Sequence, residues 1–159
     1  MRKNCKNNNK GFEIIEHLSD TGIKAWAGNT EELFEQCAHG MFSIICNTGQ
    51  VKAVTKKTVE IKPEQTGGLE DLLILWLERL IYMHEVKKML FSAFNVFYLK
   101  TADKTDQNGA GLRAHAFGER FDSFRHEIFT SIKAPTYHML SVRKNAGSGL
   151  WEANVIFDV

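Results

Sequence analysis

Apolar and polar positions alternate at the start of the chain, with Phe12 and Ile14 set against Glu13 and Glu16, and an apolar stretch resumes at Lys24 to Ala27 after a turn at Asp20 to Gly22. Alternation on either side of a turn predicts two short strands. The period changes at Thr30: Leu33, Phe34, Cys37, Met41, Phe42 and Ile45 recur at helical intervals. Glu31, Glu32 and Glu35 lie early in this element, where the helix dipole favours acids. Thr30 is the predicted cap, and Asn47 to Gly49 the predicted stop. Val54 to Lys62 alternates again, Pro63 and Gly67-Gly68 break the pattern, and a second helix is predicted from Leu69 to Glu85. Its apolar residues, Leu72 to Leu77 with Leu80 and Ile81, cover most of the circumference, which places this helix at the centre of the core.

Beyond Met89 the pattern is of strands alone, at 91–100, 112–120, 131–142 and 150–158, joined by Gly- and Asn-rich connections. Their spacing predicts an antiparallel meander. Helices and strands mixed early, then strands alone, give the α+β class: a single domain over residues 11–159, two helices packed on a largely antiparallel β-sheet. Composition agrees, since 159 residues at 43% hydrophobic can bury one sizeable core.

The first ten residues, with Arg2, Lys3, Lys6 and Lys10 among asparagines, read as a disordered basic tail. Glu13 and Glu16 stand where the apolar segment of a secretory leader would follow, so export is not expected and the chain is placed in the cytoplasm. The run from Leu72 to Leu77 is far shorter than the ~20 residues that span a bilayer, so no membrane anchor is expected. Cys5, Cys37 and Cys46 are odd in number and lack CxxC spacing, which fits reduced thiols, with Cys37 and Cys46 as core filler. Twenty basic and 19 acidic side chains leave a formal charge of +1, so nothing global argues for wrapping nucleic acid or lying on an anionic membrane, and any such contact would have to be local. The tryptophans and phenylalanines fall on apolar positions, which predicts core packing over a base-stacking platform.

Candidate chemistry gathers in short polar words. Asp20 lies in the first turn, and Asp158 ends the last strand with the α-carboxylate of Val159 beside it. Were these elements neighbours, their oxygens would converge, and oxygen-only donors select calcium or magnesium over zinc. Spacing alone favours an Asx turn at Asp20 and a solvated chain end. Lys133, Thr136, Tyr137 and His138 crowd one predicted strand, where alternation sets Thr136 and His138 on one side and Tyr137 on the other. There is no HExxH, no GxGxxG, no GxxxxGK[ST] and no legible nucleophilic triad, which argues against acyl transfer and against a self-contained nucleotide enzyme.

Taken together, the words resemble the archease family: HxxDxG at His17, Asp20 and Gly22; LEDLLxxWLxxLIY at Leu69 to Tyr82; Gly118-Glu119; His126; KAxTYH at Lys133 to His138; and the final Phe157-Asp158-Val159. The likeness runs from His17 to the last residue. It implies a small α+β protein that is not itself an enzyme but an accessory factor of an RtcB-type RNA ligase. Such a factor promotes guanylylation of the ligase and multiple turnover in tRNA splicing or RNA repair. The resemblance also implies calcium, or another hard divalent cation such as magnesium, at Asp20, Asp158 and Val159. Lys133 and His138 are the residues assigned to the partner. The competing reading is a protein-binding or chaperone-like module with a purely structural metal site. Pro135 stands where the family often has Val, and lacking an N–H it predicts an edge strand or a bulge there.

Overall fold

The computed structural model describes residues 9–16, 19–62, 67–101 and 110–159. Cys5 and the first eight residues of the expected tail, together with His17 and Pro63, lie outside the described residues. Lys10, assigned above to the tail, approaches Glu32 at 3.6 Å and is tied to the folded domain.

The elements run β1 (Gly11–Glu16), β2 (Thr21–Ala27), α1 (Thr30–Ile45), a 3₁₀ turn (Thr48–Gln50), β3 (Thr55–Ile61), α2 (Leu69–Lys87), β4 (Met89–Lys100), β5 (Gly111–Arg120), β6 (Ala134–Lys144) and β7 (Trp151–Asp158). This is the α+β arrangement expected, with every strand pairing antiparallel. The strands divide into two sheets, however, ordered β1-β2-β7-β6 and β3-β5-β4. The meander therefore survives only as the β4–β5 and β6–β7 hairpins, and the chain changes sheets between β5 and β6. Alternation tells which face of a strand is buried but not which strand lies beside it. Here buried Ala153, Val155 and Phe157 of β7 extend the apolar face begun by Ile23 and Ala25 of β2, so the last strand inserts next to the second.

Both helices touch both sheets and form the layer that joins them: α1 packs on β1, β2, β7 and β4, while α2 packs on β6 and on β3 to β5. Asn29 caps α1 in place of Thr30, its Oδ1 accepting from the Glu32 N–H at 2.8 Å, while the Thr30 hydroxyl donates to Glu31. α2 buries Leu72, Leu73, Trp76, Leu77 and Leu80 but exposes Glu78, Arg79 and Tyr82, so its apolar girth is enclosed on one side only. The Trp76 indole donates to the Phe34 carbonyl at 3.0 Å, which satisfies its polar atom inside the core and fastens α2 to α1. Cys37 and Cys46 are buried and unpaired, as expected, and burial pushes the Cys46 thiol up to about 11.

Pro135 sits in β6, the edge strand of its sheet, where a missing N–H interrupts no second ladder. Gly118 of β5 faces the irregular step of β4 between Phe91 and Ala93. A Cβ there would overlap the Leu90 carbonyl oxygen and approach the Phe91 Cα at 2.8 Å. Gly118→Ala should therefore lower stability by about 1–3 kcal/mol. The loss is read as a lower urea midpoint at unchanged slope.

Candidate functional site

The ladder between β2 and β7 runs to the pair Thr21 and Phe157, and the next residue on each strand is a carboxylate, Asp20 and Asp158. On the other side of β7, Ala134 pairs with Asp158, and the Lys133 N–H donates to the Asp158 carbonyl at 2.8 Å. One end of the sheet thus gathers Asp20, Lys133, Asp158 and Val159 from widely separated parts of the chain. All four are exposed. Ile23 and Ala25 on β2, and Val155 and Phe157 on β7, face the core, so alternation assigns both aspartates to the outer face. Directly opposed residues on neighbouring strands have Cβ atoms roughly 4.5–5.5 Å apart, and like charges there repel. A cation or a basic group at this corner would offset that repulsion.

Gly22 makes the corner possible. It lies inside β2, not in the turn expected at Asp20 to Gly22, and a Cβ on it would come within 2.5 Å of the Val155 carbonyl oxygen and 2.8 Å of Ile156 Cδ1. Only a residue without a side chain lets β7 lie this close.

Among the described residues, no three His, Cys, Asp or Glu side chains group closely enough to hold a metal. Side chains at the corner supply two carboxylates, and the third oxygen group available is the terminal carboxylate of Val159. This donor set suits a hard cation, with further ligands drawn from water or a partner, because calcium takes about 6–8 oxygens.

The rest of the KAxTYH word is arranged differently from its expected alternation. Thr136 donates its hydroxyl to the Ile156 carbonyl at 2.9 Å, and then the register breaks, so that Tyr137 to Leu140 bulge out opposite Val155 alone. Met139 adopts φ 55°, and Tyr137, His138 and Met139 are all exposed. Tyr137 and His138 therefore do not take opposite sides of a regular strand, and His138 belongs to the bulge while Lys133 belongs to the corner. The Tyr137 hydroxyl reaches α2 and donates to Asp71 at 2.7 Å. That bond to a carboxylate holds the proton on the phenol and pushes its pKa up from 10.0 to about 12. A value raised on folding adds stability below about pH 10, and this is lost as pH climbs through about 12. Asp71→Asn should return the tyrosine toward 10, read as phenolate absorbance against pH.

The profile of the Archease protein family (MTH1598/TM1083) matches residues 12–159, which takes in every residue of the corner and of the bulge. The chain belongs to this family. It is 34% identical over 150 residues to the protein archease of Pyrococcus abyssi, covering 94% of this chain and 99% of the relative. With the protein archease of Methanopyrus kandleri it shares 36% over 148 residues, 93% of this chain and 99% of the relative. The solution structure of Methanobacterium thermoautotrophicum protein 1598 superposes with a TM-score of 0.69 at 29% identity, covering 93% of this chain and 98% of that one. Among the described residues of this archease, no helix is long and apolar enough to cross a membrane.

Two archease words take on a role only in three dimensions. Glu119 and His126 are both buried. The Glu119 carboxylate accepts from the Lys52 N–H, pairs with the Arg125 guanidinium, and lies 3.3 Å from His126 Nε2. His126 Nδ1 accepts from the Asp122 N–H at 2.9 Å, so in the neutral ring the proton is on Nε2, toward Glu119. Nε2 makes no well-directed hydrogen bond, so its contact with Glu119 is electrostatic. The cluster pins the connection between β5 and β6, which also bonds through the Phe129 N–H to the Ile45 carbonyl at 2.7 Å. Gly118-Glu119 and His126 were visible as words, but nothing in their spacing announced a shared buried site.

Proposed function

We propose that this archease is an accessory factor of an RtcB-type RNA ligase, promoting guanylylation of the ligase and its multiple turnover in tRNA splicing or RNA repair. Family membership supports the reading, and one observation carries it: β7 lies beside β2 in a register that ends at the pair Thr21 and Phe157, so that Asp20 and Asp158 are the next residues at that end of the sheet. Asp20, Asp158 and the Val159 carboxylate are the residues that would hold calcium or magnesium. When bound, such a cation supplies positive charge and open coordination positions to phosphate oxygens.

The chain's own residues do the positioning. The Lys133 backbone fixes the end of β7, while its exposed side chain offers a cation to an anionic group of the partner. His138, exposed in the bulge, is a second contact for the ligase. Group transfer belongs to the ligase, so the chain is an activator and not an enzyme, working in the cytoplasm. Substoichiometric addition to a matched ligase with GTP should accelerate guanylylation and permit repeated turnover. No acceleration across matched ligases would leave the chaperone-like reading in its place.

The terminus provides a separate test. One residue appended after Val159 moves the α-carboxylate away from Asp158. Weaker calcium binding by calorimetry and weaker ligase activation are expected, with the circular dichroism spectrum kept. Unchanged calcium binding would remove Val159 from the site.

A further inference from the structure

The outer face of the β3-β5-β4 sheet carries aromatic rings that the core does not enclose. On β5, Leu112, Ala114 and Ala116 point into the core, so Arg113, His115 and Phe117 face outward. On β4, Phe97 follows buried Val96 on the outward side and is 48% exposed, and the irregular step there sets Tyr98 outward as well, opposite Arg113. The Phe97 ring stands 4.8 Å from His115 with planes at 37°, and Phe117 lies 6.2 Å beyond His115. The Arg113 guanidinium covers the Tyr98 ring at 4.4 Å. Alternate residues on a strand are about 7 Å apart, so these rings form a row along β5 and its neighbour. Phe34, Phe42, Phe91 and Phe94 serve the core as expected, and Phe97 departs from that expectation.

The charge on this face is complementary to a polyanion. Lys56 and Arg113 are exposed on it, and the outward acid of β3, Glu60, is paired with Lys62 at 3.3 Å. Lysines on an edge strand also discourage pairing with other sheets, but that role does not call for exposed rings. A solvated face of an antiparallel sheet is ordinarily polar. Rings in a row, flanked by cations, match the stacking and phosphate contacts by which proteins hold unpaired nucleotides.

We propose that the outer face of the β3-β5-β4 sheet binds single-stranded RNA directly, bases stacking on Phe97 and its neighbouring rings and phosphates meeting Lys56 and Arg113. The family resemblance implies only indirect contact with RNA, through the ligase, whereas an overall charge of +1 leaves room for a local platform on the chain itself. The surface is independent of the ligase reading.

The test is fluorescence anisotropy of a labelled, unstructured RNA of about a dozen nucleotides with the full chain and no ligase present. Binding is expected to the single strand and not to a duplex of equal length, and to weaken between about 50 and 200 mM salt. Phe97→Ala should weaken binding by roughly 5- to 150-fold, and Phe97→Tyr should keep it. Arg113→Ala should lower the salt slope by about one. Lys56→Glu, a change at an exposed position, carries the test should Phe97→Ala fail to fold, and is expected to reduce affinity in the same direction. Phe124→Ala, outside this sheet, should leave affinity unchanged. No binding at the lower salt overturns the proposal, as does equal affinity for the duplex. Affinity unmoved by both Phe97→Ala and Lys56→Glu overturns it too.

Discussion

Asp158→Ala is expected to lower calcium affinity by on the order of tenfold or more, because affinity at oxygen sites follows the number of charged ligands. Ligase activation should fall to the level without the factor at equal dose. The physical reason is the corner's economy of donors: among the described residues, no third carboxylate or imidazole side chain groups with Asp20 and Asp158. Asp20→Ala should act in the same direction, and the double variant should lose less than the sum, since both side chains serve one ion. The fold should persist in each, as both residues are exposed. Calorimetry and circular dichroism on the same samples decide the matter. Unaltered calcium binding would sink the site, and collapse of the spectrum would make the residue structural.

Glu119→Ala should cost about 1.5–3 kcal/mol, the range for losing hydrogen bonds made to a charged group. Two donors lose their acceptor at once, the Lys52 N–H and the Arg125 guanidinium, and the buried imidazole of His126 loses its electrostatic neighbour. Arg125 is 40% exposed on its side chain and can turn to water, but His126 cannot. Glu119→Gln keeps an acceptor for Lys52 and should cost less, about 1–2 kcal/mol. Urea unfolding of the two variants gives the comparison. A loss below 1 kcal/mol for Glu119→Ala would mean that the cluster adds little to stability. Faster hydrogen exchange at the Phe129 N–H, which closes the loop onto Ile45, would report the loosened connection directly.

The helices were legible because a 3.6-residue period over sixteen or more positions leaves little choice of element. α1 ends at Ile45, the last of its expected apolar positions, and α2 runs on past the expected Glu85 to Lys87. The cap of α1 was misplaced by one residue because Asn29 and Thr30 both carry a capping oxygen, and only backbone geometry chooses between them. Pro135 named its own place, since a residue without an N–H belongs at an edge. Gly22 did not, because a glycine within two residues of Asp20 reads as turn chemistry until a neighbouring strand is known to press against it.

The division into two sheets, the bulge at Tyr137 to Leu140 and the Glu119 cluster all depend on partners distant in sequence. The Tyr137 clasp on Asp71 joins residues 66 positions apart, and no local pattern encodes that distance. The aromatic face was hidden for a related reason. A one-residue irregularity in β4 sets Phe97 and Tyr98 outward together, and plain alternation does not announce two adjacent residues on one face.

By itself the sequence determined the α+β class, the two helices, the strand-forming stretches and the family, because these rest on local periodicity and on words of adjacent residues. Tertiary structure alone decided that the last strand lies beside the second, which brings Asp20 and Asp158 to the same end of one sheet. Strand pairing is chosen by how buried faces fit across the core, and that choice sets which exposed residues share a corner.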